Sequence, residues 1–477
     1  GLVPLDGLNL GGSSMTDAEV KTALENNADT NTVTDAQLTD IATISAKQNQ
    51  LTAGSNITIV GDVISASISG GVSDITVVEN VTELRAFTVA PSDGDLFHIK
   101  GHTVEGIGDG LIKWVNSSTE TDNNGTYFKA TTITTGRFIR VLDCANEVDI
   151  EMFGGYASST FESTPAYDNA LDYLVSIGGG QLLFPFRGDD YFIVTEAQYL
   201  TRDYSNIVIK GSGKNRTKIF IDSSGYQQTT GRGVFVNIGS GTDGLTIENL
   251  DVLVDEAAIQ NAFVYGFVCS QVGDFKNIKV TNVKFRNEAK ADSELGVTFF
   301  NLYRDVLDTN DTDFVENVTI KDNDVAIYGN SIYGIHTLRK VIGASIKNNI
   351  IELKAYVGAS QSYNAIGWYG DSERFIIKEN ILVSSGHAPI GASMCRFSVI
   401  SDNWVYATSD ANSNTETGIE IERKATHGST GNGSNSMDVH GNHVFNCPTG
   451  IWVTHRGTDI AGNNTKDIWI HHNFIYD

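Results

Sequence analysis

Proline is scarce, at 6 of 477 residues, and cysteine is scarcer still, at 4. So little proline excludes a Pro-rich linker or a collagen-like rod, both of which need far more than the usual ~5%. The cysteines, Cys144, Cys269, Cys395 and Cys447, lie far apart, so their spacing supports neither a disulfide framework nor a zinc site. Positive charge is also short. Against 58 Asp plus Glu stand 33 Lys plus Arg, a formal charge of −25, and no basic run exceeds two residues. That excludes a broad phosphate-reading surface, which needs clustered cations. The opening Gly1-Leu2-Val3-Pro4 has neither the basic nor the apolar region of an export signal, and no stretch reaches the ~18 apolar residues of a membrane span. Neither a nucleic-acid partner nor membrane insertion is expected. Because the chain stops at Asp477 directly after a strand-like run, it is expected to continue beyond 477.

Glycine, by contrast, is plentiful: the 48 residues are about 10% of the chain against a usual ~7%. Many Gly, Asn and Asp with little Pro describe a turn-rich β protein. Length alone predicts about three domains of roughly 150 residues, a count that a repeat architecture would break.

Residues 1–50 contain a short repeat in which Thr16-Asp17-Ala18-Glu19-Val20 recurs as Thr34-Asp35-Ala36-Gln37-Leu38. Each copy has the Thr-x-x-Glu/Gln spacing of a helix capping box, so two short helices are expected. Residues 51–71 hold a small hairpin, Asn56 to Ile59 and Val63 to Ser65 about Gly61-Asp62, followed by a Gly70-Gly71 joint. Residues 72–146 read as a small α+β domain with a helix over Asn80 to Ala86 and strands at Leu96–Ile99, Leu111–Trp114, Thr126–Phe128 and Phe138–Val141. A further helix is predicted from Ala166 to Ile177, ending at Gly178-Gly179-Gly180.

That helix opens a domain of residues 147–477, whose remainder repeats a short pattern. Val318-Thr319-Ile320-Lys321-Asp322-Asn323 is matched by Ala344 to Asn349, Phe375 to Asn380, Ser398 to Asn403, Met437 to Asn442 and Ile468 to Asn473, with shortened copies ending at Asn249 and Asn282. The eight asparagines are 23 to 41 residues apart. A short minimum with variable excess is the mark of a solenoid whose rungs share a core and differ in their loops. Asn suits the corner, since it tolerates left-handed backbone angles and its amide can hydrogen-bond up a ladder. The fold expected is mainly β: a right-handed parallel β-helix preceded by the helical repeat, the small β unit and the small α+β domain.

Together these pieces resemble phage tailspike and tail-fibre proteins. Val20 to Asn31 with Thr34-Asp35-Ala36 looks like a tail-fibre helical repeat, and Leu51 to Ile59 like the small β unit that follows it. Leu84-Arg85, Gly106 to Trp114 and Gly136-Arg137-Phe138 are similar to the adaptor-like domain ahead of tailspike β-helices. Met152-Phe153-Gly154, Asp168 to Leu174, Gly178 to Gly180 and Leu183-Phe184-Pro185 resemble the entry into a pectate-lyase-like β-helix. The acidic stretch usual before that entry helix is replaced here by Gly155 to Thr160. The resemblance implies a homotrimer on the virion, joined to other tail or baseplate proteins through its N-terminal region. It also implies binding, and often cleavage, of a host capsule or lipopolysaccharide. No cofactor or metal is expected.

Catalytic positions vary within that family, so candidate residues come from the rungs. A second set of strands aligns Ile335, Ile366, Ile390, Ile419 and Ile451 inward. Alternation then puts His336, Gly367, Gly391, Glu420 and Trp452 in one exposed outer column and Leu338, Tyr369, Ser393, Glu422 and Thr454 in the next. Glu420 and Glu422, with Cα atoms roughly 6.6 Å apart, span the separations of retaining and inverting glycosidases. Two carboxylates this close repel when both are ionised, so one keeps a proton and serves as general acid. They are the candidate catalytic pair; Tyr369, Trp452, His336 and Asp371 are the candidate sugar-binding residues, with a groove left by Gly367 and Gly391. The plainer reading is ion pairing of the glutamates with Arg423 and Lys424. Asp371 with Glu373 and Asp292 with Glu294 are secondary pairs. His471 and His472, adjacent on a strand, are expected to face opposite ways and so not to share a metal. A binding-only fibre would use the same groove without a competent pair. A polysaccharide lyase would need a calcium site and a Lys or Arg beside the cleaved uronate, and no such cluster is evident.

Overall fold

The computed structural model describes Thr22, residues 57–60, 63–66 and 75–477, apart from segments 196–201, 223–231, 256–264, 271–272, 288–296, 303–313, 330–332, 339, 356–363, 385–386, 409–416, 425–433 and 457–464. Of the expected helical repeat only Thr22 is described, and it is helical; the Gly70-Gly71 joint and the pair Asp292 and Glu294 lie outside the described residues. Residues 1–74 and 75–477 are separate units. In the first, Ile57–Val60 pairs antiparallel with Val63–Ala66, and the register Val60 to Val63 leaves two residues for the connection, as the Gly61-Asp62 signal predicts.

The second unit begins with a five-stranded sheet in the order Thr76–Val78, Leu96–Ile99, Gly110–Val115, Arg137–Arg140, Tyr127–Phe128. Its helix, Val81–Arg85, starts where Asn80 Oδ1 accepts from Glu83 N at 3.1 Å, while Glu83 Oε2 accepts from Glu79 N at 2.6 Å. Val81 and Leu84 pack on Phe97, Trp114 and Phe138, a core distinct from that of the solenoid. At the join, His102 is buried against Gly154, and its Nε2 donates to the Asn124 carbonyl at 2.8 Å. Burial pushes His102 down to about 4.

Glu147–Asp149 pairs with Gly180–Phe184 and starts the solenoid. The helix Thr164–Ser176 covers the end of its core: Tyr167 stacks on Phe235 at 5.1 Å, and Asp168 and Asp172 hold Arg202 at 2.9 and 2.8 Å. The helix stops one residue short of the sequence expectation, with Ile177 an exposed cap before the left-handed Gly178.

The later rungs build three parallel sheets, and the last rung contributes to two of them. One contains Thr246–Glu248, Phe275–Thr281, Val315–Lys321 and Val341–Lys347. Another is the ten-stranded sheet from Phe192–Thr195 to Phe474–Tyr476. The third runs through Tyr265–Ser270, Val297–Leu302, Tyr333–Thr337, Thr417–Lys424 and Thr449–Arg456. The long strands Ile366–Lys378 and Ile390–Ser401 pass through a corner and belong to both the first and third sheets. Inward residues form continuous columns, such as Ile247, Val280, Ile320, Ile346, Ile377, Ile400 and Val439, all fully buried. This is a parallel β-helix.

The corner from the first sheet to the ten-stranded sheet spans residues 185–191 and 212–217 in the two earliest rungs and has two residues in each of the eight that follow, from Asn249-Leu250 to His472-Asn473. The first residue takes the left-handed conformation: Asn249, Asn282, Asp322, Asn348, Glu379, Asp402, Gly441 and His472. The second turns inward. It is Leu250 and Val283 in the early rungs and then Asn323, Asn349, Asn380, Asn403, Asn442 and Asn473. The sequence series therefore merges two columns: Asn249 and Asn282 belong to the outer, left-handed one, and the buried asparagines are not themselves left-handed. In the buried column from Asn349 on, each Oδ1 accepts the backbone N–H and the Nδ2 of the preceding Asn, at 3.0 and 2.9 Å for Asn380 Oδ1 with Asn349. Each Nδ2 also donates to the preceding rung, as Asn380 does to the Ile346 carbonyl at 3.0 Å.

Two outcomes follow. Asn380→Ala strands the buried N–H and Nδ2 of Asn349, at about 1–3 kcal/mol each, and lowers the denaturation midpoint far more than Asn348→Ala in the outer column. An equal effect of the two would refute the ladder's role. For His102, the unfolded imidazole takes up a proton near 6.5 and the folded one only near 4. Its contribution to stability is thus complete above pH 6.5 and is lost as pH falls toward 4. His102→Gln should remove that loss, so the stability of the variant relative to wild type improves by about 3 kcal/mol between pH 7 and pH 4 in denaturant titrations.

Candidate functional site

From Asn249 on, the two-residue corner confines variation in loop length to the connections on either side of the third sheet, where repeat proteins place recognition. The register of that sheet is the one expected for His336, Gly367, Gly391, Glu420 and Trp452, which are successive partners, and for Tyr369, Ser393, Glu422 and Thr454; Leu338, expected at the head of the second column, falls just past the strand Tyr333–Thr337 and is not paired with Tyr369. The first column extends backward through Asn301.

Its exposure is not as expected. His336 is 4% exposed, Tyr369 7%, Glu420 1% and Glu422 3%. The glycine gap is filled from within the chain. Tyr369 follows Gly367 by two residues, lies back across the outer face, and donates from its hydroxyl to Asn364 Oδ1 at 2.5 Å. A Cβ on Gly391 would stand 2.6 Å from that hydroxyl and 2.7 Å from Asn364 Nδ2, and one on Gly367 would stand 2.9 Å from the Tyr369 ring. The glycines thus make a seat for a tyrosine rather than an open groove. Asn364 Nδ2 donates in turn to the Ala388 carbonyl at 2.5 Å.

Around this seat the polar groups converge. His336 Nδ1 is 3.1 Å from Asn301 Oδ1, and its ring stacks on Tyr333 at 4.0 Å and meets Tyr369 edge-on at 6.0 Å. Glu420 Oε2 is 2.8 Å from His387 Nε2, a partner that alternation along the strands does not reveal because His387 lies ahead of the strand that carries Gly391. Tyr369 is pushed well above its usual pKa, chiefly by burial and then by Tyr333, Glu422 and Glu420. It stays a hydrogen-bond donor beside the two carboxylates.

Trp452 is half-buried on the outer side, but its neighbour Val453, expected inward, is 39% exposed. Thr449–Arg456 is the last described strand of its sheet, so Val453 has a rung to pack on at one side only. Asp371 sits in the strand Ile366–Lys378 directly after left-handed Gly370, where the register slips between Tyr369 and Ser372, so strict alternation fails there. Its side chain, like those of Arg423 and Lys424, lies outside the described residues. Glu373 is ion-paired with Arg396 at 2.7 Å. His471 and His472 do not diverge: their Nδ1 atoms are 2.9 Å apart, because His472 occupies the left-handed corner, where the alternation of a strand breaks.

Residues 77–143 match the family model of the phage tail protein small four-stranded β-sheet domain, over the span that carries the adaptor-like motifs. No curated protein sequence matches the chain. Among solved structures, it is similar to the enzymatically active domain of tailspike protein 2 of bacteriophage CBA120, at 13% identity and a TM-score of 0.45, covering 83% of this chain and 56% of that one. The tailspike protein of Acinetobacter baumannii phage AM24 aligns at 17% identity and a TM-score of 0.45 over 81% of this chain and 59% of its own. A tailspike of Acinetobacter baumannii bacteriophage Fri1, described as a capsular polysaccharide depolymerase, aligns at 11% identity and a TM-score of 0.38 over 85% and 75%. The chain spans little more than half the length of the first two solved tailspike chains it matches, 56% and 55%.

Gly391→Ala tests the seat. The added methyl collides with the Tyr369 hydroxyl and the Asn364 amide, and overpacking of this kind destabilises by about 1–3 kcal/mol. Ser393→Ala, on the same strand, should be close to neutral, and equal thermal midpoints for the two variants would contradict the packing described.

Proposed function

We propose that the chain is a virion tail component of the tailspike class that binds a bacterial surface polysaccharide and hydrolyses it on the outer face of the third sheet. In this reading residues 1–50, 51–71 and 72–146 serve attachment to the tail, and residues 147–477 form the glycan-binding domain, acting as a homotrimer. The observation that carries it is the convergence of Glu420 and Glu422 with Tyr369, His336 and His387 on the sheet flanked by the variable connections. Support for the tail assignment comes from the family match over residues 77–143.

Glu420 and Glu422 act as the acid and base of glycosidic cleavage, with His387 orienting Glu420 through the 2.8 Å contact. Tyr369 and Trp452 supply ring faces to the sugars, His336 a hydrogen bond, and Asp371 a further polar contact. Because both carboxylates are nearly covered, substrate binding has to displace part of that cover. The same burial favours a second reading, in which the pair is structural and the chain only binds its glycan.

Incubating the purified protein with polysaccharide from a susceptible host separates the two. Hydrolysis releases new reducing ends, and Glu420→Gln and Glu422→Gln each lower the rate by at least about a hundredfold while glycan binding persists. Binding without new ends removes the hydrolase reading. Cleavage by both variants at the wild-type rate removes the residue assignment alone, and ultraviolet-absorbing unsaturated ends identify a lyase.

A further inference from the structure

On the outer face of the first sheet, away from the glutamate pair, Asp438, His440 and His471 bring three ligand atoms within 4.8 Å of one another. Two features of the fold put them there. Asp438 and His440 are two residues apart on Asn435–His440 and share its outer face, while His471 is the register partner of His440 on the next rung. The imidazoles of His440 and His471 lie nearly parallel, 5.1 Å apart at an angle of 5°. Asp438 Oδ1 is 3.1 Å from His440 Nδ1 and is hydrogen-bonded to His471 Nε2 at 3.0 Å.

The His440 contact is not an aligned hydrogen bond. Its Nδ1 is shielded from solvent and makes no hydrogen bond with the carboxylate although the two atoms are 3.1 Å apart. That is the approach of two donors to a point between them. Two donors on one tetrahedral zinc, each at ~2.0–2.1 Å, stand about 3.3 Å apart, close to the spacing seen here. The second nitrogen of His471 is also engaged, 2.9 Å from His472 Nδ1, which fixes the ring as an outer-shell partner does in a metal site. Two imidazoles and one carboxylate suit zinc and its first-row neighbours better than calcium or magnesium, which prefer oxygen.

We propose that Asp438, His440 and His471 bind one divalent cation of the zinc class, with His472 positioning His471. The site joins consecutive rungs, so its occupation clamps residues 435–440 to residues 466–471. Binding to the folded state alone raises the thermal midpoint in proportion to the logarithm of free metal.

The test is a zinc titration of the full chain, stripped with chelator and dialysed, followed by calorimetry and by thermal unfolding. One zinc per chain is expected, with a Kd below about 10 µM and a midpoint that rises with zinc. Asp438→Asn, His440→Gln and His471→Gln should each weaken binding at least tenfold and flatten the thermal response, while circular dichroism confirms that these outward substitutions leave the fold intact. Wild type that binds no zinc at 100 µM, or a His440→Gln/His471→Gln double variant that binds as tightly as wild type, overturns the proposal.

Discussion

The structure depends on the one-to-one stacking of rungs enforced at a buried corner. An amide placed out of water must satisfy both its oxygen and its nitrogen, and here the partners are the amide and backbone of the adjoining rungs, joined for Asn380, Asn442 and Asn473 by a carbonyl two residues back. Each buried Asn therefore dictates its neighbour, and a mixed column leaves donors stranded. The change from Leu250 and Val283 to asparagine happens once, and Asn323 Oδ1 completes the junction by accepting the backbone N–H of Val283 at 2.9 Å. With the corner fixed, strand register is fixed, and the inward Ile and Val columns and the outer polar columns line up as consequences.

Much of this was legible in the residues. The Asn-terminated repeat identified the rungs, and alternation about Ile335, Ile366, Ile390, Ile419 and Ile451 yielded the pairing of the third sheet, because a strand packed on one face has a strict period of two. What escaped is whatever a period cannot express. A one-residue ambiguity at Asn249 and Asn282 joined two columns, since asparagine is acceptable both as a left-handed residue and as a buried ladder rung. Outward direction also proved different from exposure. Tyr369, Glu420 and His336 do leave the sheet on its outer side, yet they are covered by one another and by His387, whose position depends on a connection rather than on a strand.

That distinction shapes the candidate site. Alternation alone stands Glu420 and Glu422 in solvent, whereas the structure sets them in a polar, aromatic recess where the surroundings limit what each carboxylate can meet. Gly367 and Gly391 are not voids, and they matter because only glycine leaves room for the Tyr369 side chain. A seat of this kind gives the site a defined floor, with the tyrosine hydroxyl and the Asn364 amide held in one arrangement before any ligand arrives.

The two-residue corner has one more consequence, for how such a molecule can change over generations. A single residue added there would turn the following strand over, sending its inward side chains to water and its outward ones to the core, much as a frameshift garbles a message. A residue added beside the third sheet displaces only a loop. Sequence drift is thereby channelled to one edge of the coil, where it can rewrite what the surface meets while every rung keeps its place.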